Sequence, residues 1–384
     1  MNPTRMQTQA VQQFKCLAAE CPDTCCAGWG MQVTSETIRQ YEHEAPELLA
    51  AVEADATGFA MKRDALTTDC VKFERGLCAI QREYSEALLG DACYFFPRIT
   101  RSLGTTLLTT MTLACPEAAR LMLYGDAPFT LGQRTELRIP YILRNYLPAG
   151  IGEGDSLAIH AAFMQVAGEI AVPPAQRLMR ISAVARALEM QPHTAWPEAV
   201  PFYIANADQR IPPAKAAAAD LFNLAHALHG LAAASQPQHA RFHACLRAIS
   251  DMLGIHFPAG GEVMLAEDAA ERAVRALAVM RQQERVLAPV LGRYLEAQIS
   301  ESCFPFAGFG HTLSERITII GVRYATMRLA LATLGAAPAE AEVVRVIQSL
   351  SRFIDHLADP ALSLLIYRET GWGEEPRLRA IIGA

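Results

Sequence analysis

The sequence predicts a mainly α protein in which a cysteine-rich, metal-organised N-terminal module with a few short strands docks on a multi-helix C-terminal body. Two observations predict this fold class. Eight of the ten cysteines lie within the first 115 residues, where an even distribution along the 384-residue chain would place about three. Beyond about residue 155, apolar residues recur at the three- and four-residue spacing of amphipathic or buried helices.

The front of the chain consists of short elements separated by turn signals such as Arg75-Gly76. Its Thr, Val and Leu content favours strands at 29–34 and 105–113. Pro116, directly after Cys115, is typical of the first turn of a helix. The turn residues at 125–128 then predict a domain boundary. We therefore expect a cysteine-rich metal- or cluster-binding module at 1–125 and an α-helical domain at 126–384.

Helical spacing is clearest in six segments of the C-terminal part. These segments are 157–167, 178–188, 221–228, 274–280, 290–295 and 317–327. Five prolines between Gln191 and Pro213 predict a loop or a lid between helices in that segment. The glycines of 306–310 follow no strand pattern and lack the third glycine of a dinucleotide-binding turn, so we expect a loop there.

Composition and charge argue against several classes of function. Hydrophobic residues make up 51% of the chain and charged residues 19%, which indicates a folded globular protein. A formal net charge of −6 provides no basic field for nucleic acid or for an anionic membrane. The first 15 residues lack the apolar core of a secretory signal, and the longest uncharged stretch is too polar to enter lipid. We therefore expect a cytoplasmic protein without a membrane span or a nucleic-acid partner.

The clustered cysteines carry most of the chemical information. In a reducing compartment we expect them to bind a metal or an inorganic cluster, with disulfides or buried thiols as alternatives. The eight candidate metal ligands are Cys16, Cys21, Cys25, Cys26, Cys70, Cys78, Cys93 and Cys115. Their spacing matches neither a zinc finger nor a bacterial ferredoxin. Since adjacent cysteines bind one ion only with distortion, we expect one of Cys25 and Cys26 to face the metal and the other a second site, another iron or the core.

Residues beside the cysteines lead to two further expectations. Arg98 and Arg101 follow Cys93 and either offset the negative charge of a thiolate-bound centre or lie in solvent. Cys115 stands at a helix start, where the helix dipole is expected to lower the pKa of its thiol and favour metal binding. A buried cysteine at the helix entry is the alternative.

Candidates for catalysis lie in the helical part. Arg352, Asp355 and His356 have the spacing of one helical face, and His356 can act as a base near neutral pH. Asp355 and His356 are therefore the candidate catalytic residues, with a surface or inter-helix polar contact as the alternative. His226 and His229, three residues apart, are either metal ligands or a pair satisfied at the edge of the core.

Several motifs together resemble one protein family. They are Phe14-x-Cys16-x4-Cys21-Pro22-Asp23-Thr24-Cys25-Cys26-x-Gly28-Trp29, Gly76-Leu77-Cys78-Ala79-Ile80-Gln81, Cys93-Tyr94-Phe95-Phe96-Pro97-Arg98, Leu113-Ala114-Cys115-Pro116-Glu117-Ala118-Ala119-Arg120 and the segment 346–356. In these residues the chain resembles the flagellin lysine N-methylases, and its front is loosely similar to small cysteine-rich proteins that chelate zinc or iron. The sequence after Cys70 departs from the family pattern. Because of this departure, Cys70 is a weaker candidate ligand than Cys78 and Cys93.

The resemblance implies a function, a partner and two cofactors. It implies transfer of methyl groups from S-adenosylmethionine to lysine side chains of flagellin, and an iron–sulfur cluster of the 4Fe-4S type in the cysteine-rich module. Zinc is the alternative metal. Two other functions stay open: a metal- or cluster-binding scaffold that binds a protein partner without catalysis, and a redox sensor.

Overall fold

A computed structural model describes residues 3–55, 58–208, 215–233, 240–258, 262–355 and 360–383. Within these residues the protein is mainly α-helical, as predicted. The α-helices are α1 Gln9–Gln13, α2 Ser35–Glu44, α3 Ala79–Tyr84, α4 Asp91–Phe95, α5 Pro116–Tyr124, α6 Glu153–Ala167, α7 Pro174–Glu189, α8 Trp196–Ala205, α9 Ala218–Ala233, α10 Ala240–Leu253, α11 Ala269–Val286, α12 Ala288–Glu301, α13 Leu313–Ala332, α14 Glu340–Asp355, α15 Pro360–Glu369 and α16 Glu375–Ile382. Every segment predicted from helical spacing lies on one of these helices.

The strands are short and form small sheets. They are β1 Thr4–Thr8, β2 Gln32–Val33, β3 Val52–Asp55, β4 Gly58–Met61, β5 Phe73–Glu74, β6 Leu77–Cys78, β7 Arg98–Leu103, β8 Thr106–Met111, β9 Leu131–Gln133, β10 Ile255–His256 and β11 Met264–Leu265. The largest sheet has the order β7-β8-β1-β9, and a second has the order β2-β4-β3. β2 and β8 lie in the two segments that the sequence predicts as strands.

The four-stranded sheet connects the start of the chain to the helical body. β1 pairs in parallel with β8, from Thr4 opposite Thr106 to Gln7 opposite Thr109. A parallel pair requires a long crossover connection. Here the crossover includes residues 14–97, which we call the cysteine-rich segment and which contain seven of the eight clustered cysteines; Cys115 follows β8. Because both ends of this segment are tied to one sheet, cysteines from its two ends lie close together.

Apolar side chains of the described residues form two hydrophobic cores. The small core lies inside the cysteine-rich segment, around Met31, Tyr41, Leu48 and Ile80, and it includes Cys70. The large core combines the four-stranded sheet and α5 with the helices of the body. The first 125 residues therefore contribute to both cores, and the domain boundary at 125 stays a prediction.

α13 is the central helix of the body, and α7, α11, α14 and α16 pack against it. A capping box starts this helix, with the Thr312 hydroxyl accepting a hydrogen bond from the backbone N–H of Glu315 at 3.1 Å. Deep in the core, Arg328 pairs with Glu284 at 3.2 Å and donates to the Ile382 carbonyl at 2.8 Å, which compensates a buried charge. None of the described helices combines the length and apolar character required to cross a bilayer.

The prediction of a loop or lid over 191–213 is wrong for the middle of that segment. Residues Trp196–Ala205 form α8, which packs on α6 and α7 and buries Trp196 and Val200. Pro197 lies in the first turn, where its missing N–H has no cost, and burial outweighs the cost of Pro201 inside the helix. Residues 209–213 lie outside the described part of the chain. The predicted loop at 306–310 is confirmed.

His229 on α9 contacts other protein side chains. These contacts favour the interpretation that it is a hydrogen-bonded residue at the edge of the core over the interpretation that it is a metal ligand. Its Nε2 atom lies 3.0 Å from Ser250 Oγ, and its ring stacks on Phe257 with the ring centroids 3.5 Å apart. Burial, together with the nearby His226 and His243, lowers the pKa of His229 to about 4.

Mild acid is therefore expected to destabilise the α9–α10 region. The unfolded chain protonates His229 at about pH 6.5, and the folded chain does so only near pH 4. Stability is thus lost as the pH falls from 6.5 towards 4. Between pH 7 and pH 5, we expect the free energy of urea unfolding to fall by about 1 kcal/mol less in His229→Gln than in the wild type. His256→Gln, at an exposed position, is the control and should follow the wild type; equal acid sensitivity of all three proteins would contradict the prediction.

Candidate functional site

A cavity of about 570 Å³ lies where the cysteine-rich segment leaves and rejoins the sheet. Its wall combines the chain after α1, the loop before Trp29, the segment from Cys93 to Arg98 and the first turn of α5. Six of the eight candidate ligands line this cavity. They are Cys16, Cys21, Cys25, Cys78, Cys93 and Cys115. Folding thus gathers thiols that are far apart in the sequence.

A smaller cavity of about 50 Å³ adjoins the first. Its candidate ligands are Cys25, Cys26, Cys70, Cys78 and Cys93. Three of these cysteines, Cys25, Cys78 and Cys93, line both cavities. Every predicted ligand therefore lines at least one of the two cavities, and the three shared thiols lie between them.

The adjacent cysteines differ in their surroundings because of the turn that carries them. Gly28 has a φ of 80°, which favours glycine, and the Trp29 indole N–H donates to the Cys25 carbonyl at 2.7 Å. The Cys26 carbonyl accepts a hydrogen bond from the Cys70 N–H at 2.7 Å, which ties this turn to the small core. Cys25 is consequently exposed in the large cavity, whereas Cys26 lines only the small one.

The thiols of Cys25, Cys26 and Cys78 interact with one another. The interaction with the Cys26 thiol, which has one proton to share between the two sulfurs, lowers the pKa of Cys25 and lowers that of Cys78 to about 6. The same interactions raise the pKa of Cys26. Cys25 and Cys78 are thus favoured as thiolates, which is the form that binds metals.

For other thiols of the two cavities, burial raises the pKa and so disfavours the thiolate. It raises the pKa of Cys93 and Cys70, and it raises the pKa of Cys115 to about 12. The expectation that the helix dipole leaves Cys115 with a lowered pKa is wrong. The N–H groups of Ala118 and Glu117 at the start of α5 do lower it, but burial of the thiol outweighs them. These buried thiols would lose their protons only to a positive centre.

The loop between Cys21 and Cys25 is fixed to the helical body through Asp23. The Asp23 carboxylate pairs with Arg352 Nη1 at 2.5 Å and accepts from Gln348 Nε2 at 2.9 Å, both on α14. Arg352 Nη2 also donates to the Ala27 carbonyl at 2.7 Å. Burial raises the pKa of Asp23, but these contacts outweigh it and hold the pKa below its ordinary value. α14 therefore positions the loop that carries Cys25 and Cys26.

Arg352, Asp355 and His356 were predicted to share one helical face, and the structure describes them to different extents. Arg352 lines the large cavity and contacts the cysteine loop, as an inter-helix or inter-segment polar contact would. Asp355 is the last residue of α14, and His356 lies outside the described residues. A catalytic role for Asp355 or His356 stays a prediction.

Arg98 and Arg101 have separate surroundings although both belong to β7. Arg98 lines the large cavity, with its guanidinium 5.1 Å from the centroid of the Phe14 ring. Arg101 donates to the Glu301 carbonyl at 3.3 Å and lies over the Tyr146 ring. Residues an odd number apart on a strand project to opposite faces, so only Arg98 reaches the cavity.

Aromatic residues complete the wall of the large cavity. Phe14, Trp29, Tyr94 and Phe96 line it, and the rings of Trp29 and Phe96 are 5.7 Å apart. In the sequence these residues stand out only as parts of motifs, without an assigned role. Each of them stands within four positions of a candidate cysteine, and this proximity was the available signal.

The donor set fits an iron–sulfur centre in its chemistry. All ten cysteines are free thiols. Protein ligands of iron–sulfur clusters are mostly Cys thiolates, and two of the shared thiols, Cys25 and Cys78, are favoured in that form. Within the residues that the structure describes, no group of three or more His, Cys, Asp or Glu side chains is already arranged to hold a metal ion.

Known proteins show distant similarity to part of this chain. The flagellar biosynthetic protein FliU of Salmonella muenchen is 25% identical in an alignment of 146 residues that covers 35% of this chain and 86% of FliU. The lysine-N-methylases of Salmonella typhimurium and Salmonella choleraesuis are each 23% identical in an alignment of 149 residues that covers 36% of this chain. The chain is distantly similar to lysine methylases.

The similarity to the lysine-N-methylases covers only part of either protein. The matched region makes up 37% of the length of each lysine-N-methylase. No protein-family model matches the chain, and no solved structure matches it. The relatives thus give loose support to the predicted resemblance, through a flagellar protein and a lysine methylase.

Proposed function

We propose that this protein is an S-adenosylmethionine-dependent protein-lysine N-methyltransferase that acts on flagellin and holds a 4Fe-4S cluster in its cysteine-rich segment. The observation that carries the proposal is the cavity of about 570 Å³ lined by six thiols, in a chain distantly similar to lysine-N-methylases. Cavities of roughly 300–1,000 Å³ are typical of small-molecule sites. A flagellar relative supports flagellin as the substrate.

The thiols between the two cavities would hold the cluster. Cys25, Cys78 and Cys93 line both cavities, and Cys26 and Cys70 are the neighbouring candidates for a fourth ligand. A bound cluster would supply the positive charge that deprotonates the buried thiols, and it would organise the surrounding segment. Zinc bound by the same thiols is the alternative metal.

Methyl transfer requires a neutral lysine amine in line with the donor, in a site that excludes water. The amine lone pair forms a bond to the methyl carbon while the carbon–sulfur bond breaks, so the sulfonium becomes a thioether. The methylated nitrogen then releases one proton. The aromatic rings of Phe14, Trp29 and Phe96 suit a sulfonium cation and would displace water from the side of the donor that they cover. Glu86, in the same wall, offers a carboxylate for the proton.

The proposal is tested by methyl transfer in a purified, oxygen-free preparation of the full chain with flagellin and isotope-labelled S-adenosylmethionine. We expect label on lysine side chains of flagellin, located by peptide mass spectrometry. Flagellin with acetylated lysines is the control and should take up no label, because it has no free side-chain amine. Binding of flagellin without transfer of label would overturn the enzymatic function and support the scaffold function.

Metal analysis of the same preparation tests the cluster separately. Iron and sulfide in comparable amounts, with absorbance at about 400 nm, are expected of an iron–sulfur centre. A colourless protein that contains zinc would overturn the cluster and establish the alternative metal. A reversible change of absorbance on oxidation, without methyl transfer, would instead support a redox sensor.

A further inference from the structure

Four cationic side chains line the large cavity, and they differ in how they are paired. These residues are Lys15, Arg82, Arg98 and Arg352. Arg352 is paired with Asp23, and Arg82 is paired with Glu74 at 3.1 Å and with Glu83 at 2.6 Å. Lys15 is exposed to solvent. Arg98 is half-buried and forms no ion pair with a carboxylate in the described part of the chain.

Contacts on the wall hold Arg98 in place without using most of its donors. Its Nη1 atom donates to the Tyr94 carbonyl at 3.3 Å, and its guanidinium lies over the Phe14 ring. Its Nε atom is buried and has no hydrogen-bond partner among the residues that the structure describes. A guanidinium has five N–H groups, and a buried donor without an acceptor costs about 1–3 kcal/mol. A ligand that brings a hydrogen-bond acceptor to the Arg98 guanidinium would therefore be stabilised there.

We propose that Arg98 binds the carboxylate of the amino-acid part of the methyl donor in the large cavity. A guanidinium and a carboxylate form a charge-assisted and often bidentate pair, which fixes the orientation as well as the affinity of a ligand. Trp29 and Phe96 lie on the same wall and offer flat rings against which the purine of the donor packs. This inference rests on the proposed function, because it assigns the donor to this cavity.

Two ligands that differ in the amino-acid part provide the test. S-adenosylhomocysteine contains the carboxylate, whereas 5′-methylthioadenosine has the adenosine and sulfur without it. Binding of each is measured by calorimetry on oxygen-free full-length protein. We expect Arg98→Gln to weaken binding of S-adenosylhomocysteine by about 10- to 100-fold and to change binding of 5′-methylthioadenosine less than about twofold. Arg281→Gln, the same change at an exposed arginine of α11 that lines neither cavity, is the matched control and should bind both ligands like the wild type.

The possible outcomes separate this inference from the function on which it rests. If Arg98→Gln binds S-adenosylhomocysteine as tightly as the wild type, or loses affinity for both ligands equally, Arg98 does not bind the carboxylate. Failure of the wild type to bind either ligand would overturn the donor assignment, and this inference with it. Iron content and the urea midpoint of Arg98→Gln are measured in parallel. Wild-type values there assign the lost affinity to the ligand contact, whereas a loss of bound iron would show that Arg98 serves the cluster instead.

Discussion

Cys78→Ser is expected to lose at least about nine-tenths of the bound iron and to transfer no measurable methyl group to flagellin. Cys78 lines both cavities, and interaction with Cys26 lowers the pKa of its thiol, which favours the thiolate that binds iron. A serine hydroxyl remains protonated at neutral pH and is a poor ligand for iron. Iron and sulfide analysis and the methyl-transfer assay measure the two losses.

Cys245→Ser is the matched control for this substitution. Cys245 is a half-buried free thiol on α10 and lies in neither cavity. The control should keep the iron content and the activity of the wild type. Far-ultraviolet circular dichroism then shows whether the helical body of Cys78→Ser remains folded, which is expected because the large core lies outside the small one. Full iron content in Cys78→Ser would contradict the assignment of this thiol as a ligand.

Arg352→Gln is expected to lower the free energy of unfolding by about 2–3 kcal/mol and to reduce the iron content of the protein. The substitution removes the nearest cation of the largely buried Asp23 carboxylate, leaving only Arg241 at 3.8 Å in the described residues, and it removes the donor to the Ala27 carbonyl. Both effects free the loop that carries Cys25 and Cys26 from α14. Urea unfolding followed by tryptophan fluorescence measures the change.

A double-mutant cycle separates the ion pair from a general effect of changing α14. Asp23→Asn alone should also destabilise the protein, and the double variant should lose less than the sum of the single losses by at least about 1 kcal/mol. Arg345→Gln, at an exposed position on the same helix, should stay within about 0.5 kcal/mol of the wild type. Strictly additive losses would show that Arg352 and Asp23 do not act through each other.

Most of the helical body follows from local sequence pattern. The apolar spacing of segments such as 178–188 and 317–327 predicts α7 and α13, because a helix buries the same face every three or four residues. α5 follows from Pro116 after Cys115 for a similarly local reason. The prediction failed at α8, which lies in the segment 191–213, where five prolines predicted a loop or a lid. There, packing of Trp196 and Val200 against neighbouring helices decides the structure, and such packing leaves no local signal.

Some properties of the candidate site were predictable from the sequence, and others depended on the fold. Clustering in the sequence identified all eight cysteines that line the two cavities. The pKa of the Cys115 thiol was predicted in the wrong direction, because the helix start is visible in the sequence and the burial of the thiol is not. Asp23, Trp29 and Phe96 were present in the motifs, but their roles depend on residues elsewhere in the fold.

Residue types and their spacing were enough to establish a helical body, a thiol-rich front segment and a resemblance that the relatives loosely support. The folded chain alone shows that Arg352 pairs with Asp23, that Arg98 reaches the cavity and that Arg101 does not. Helical periodicity and thiol chemistry are properties of short stretches of chain. Burial, ion pairing and cavity shape arise from contacts between residues as distant in sequence as Ala27 and Arg352, so they exist only once the chain has folded.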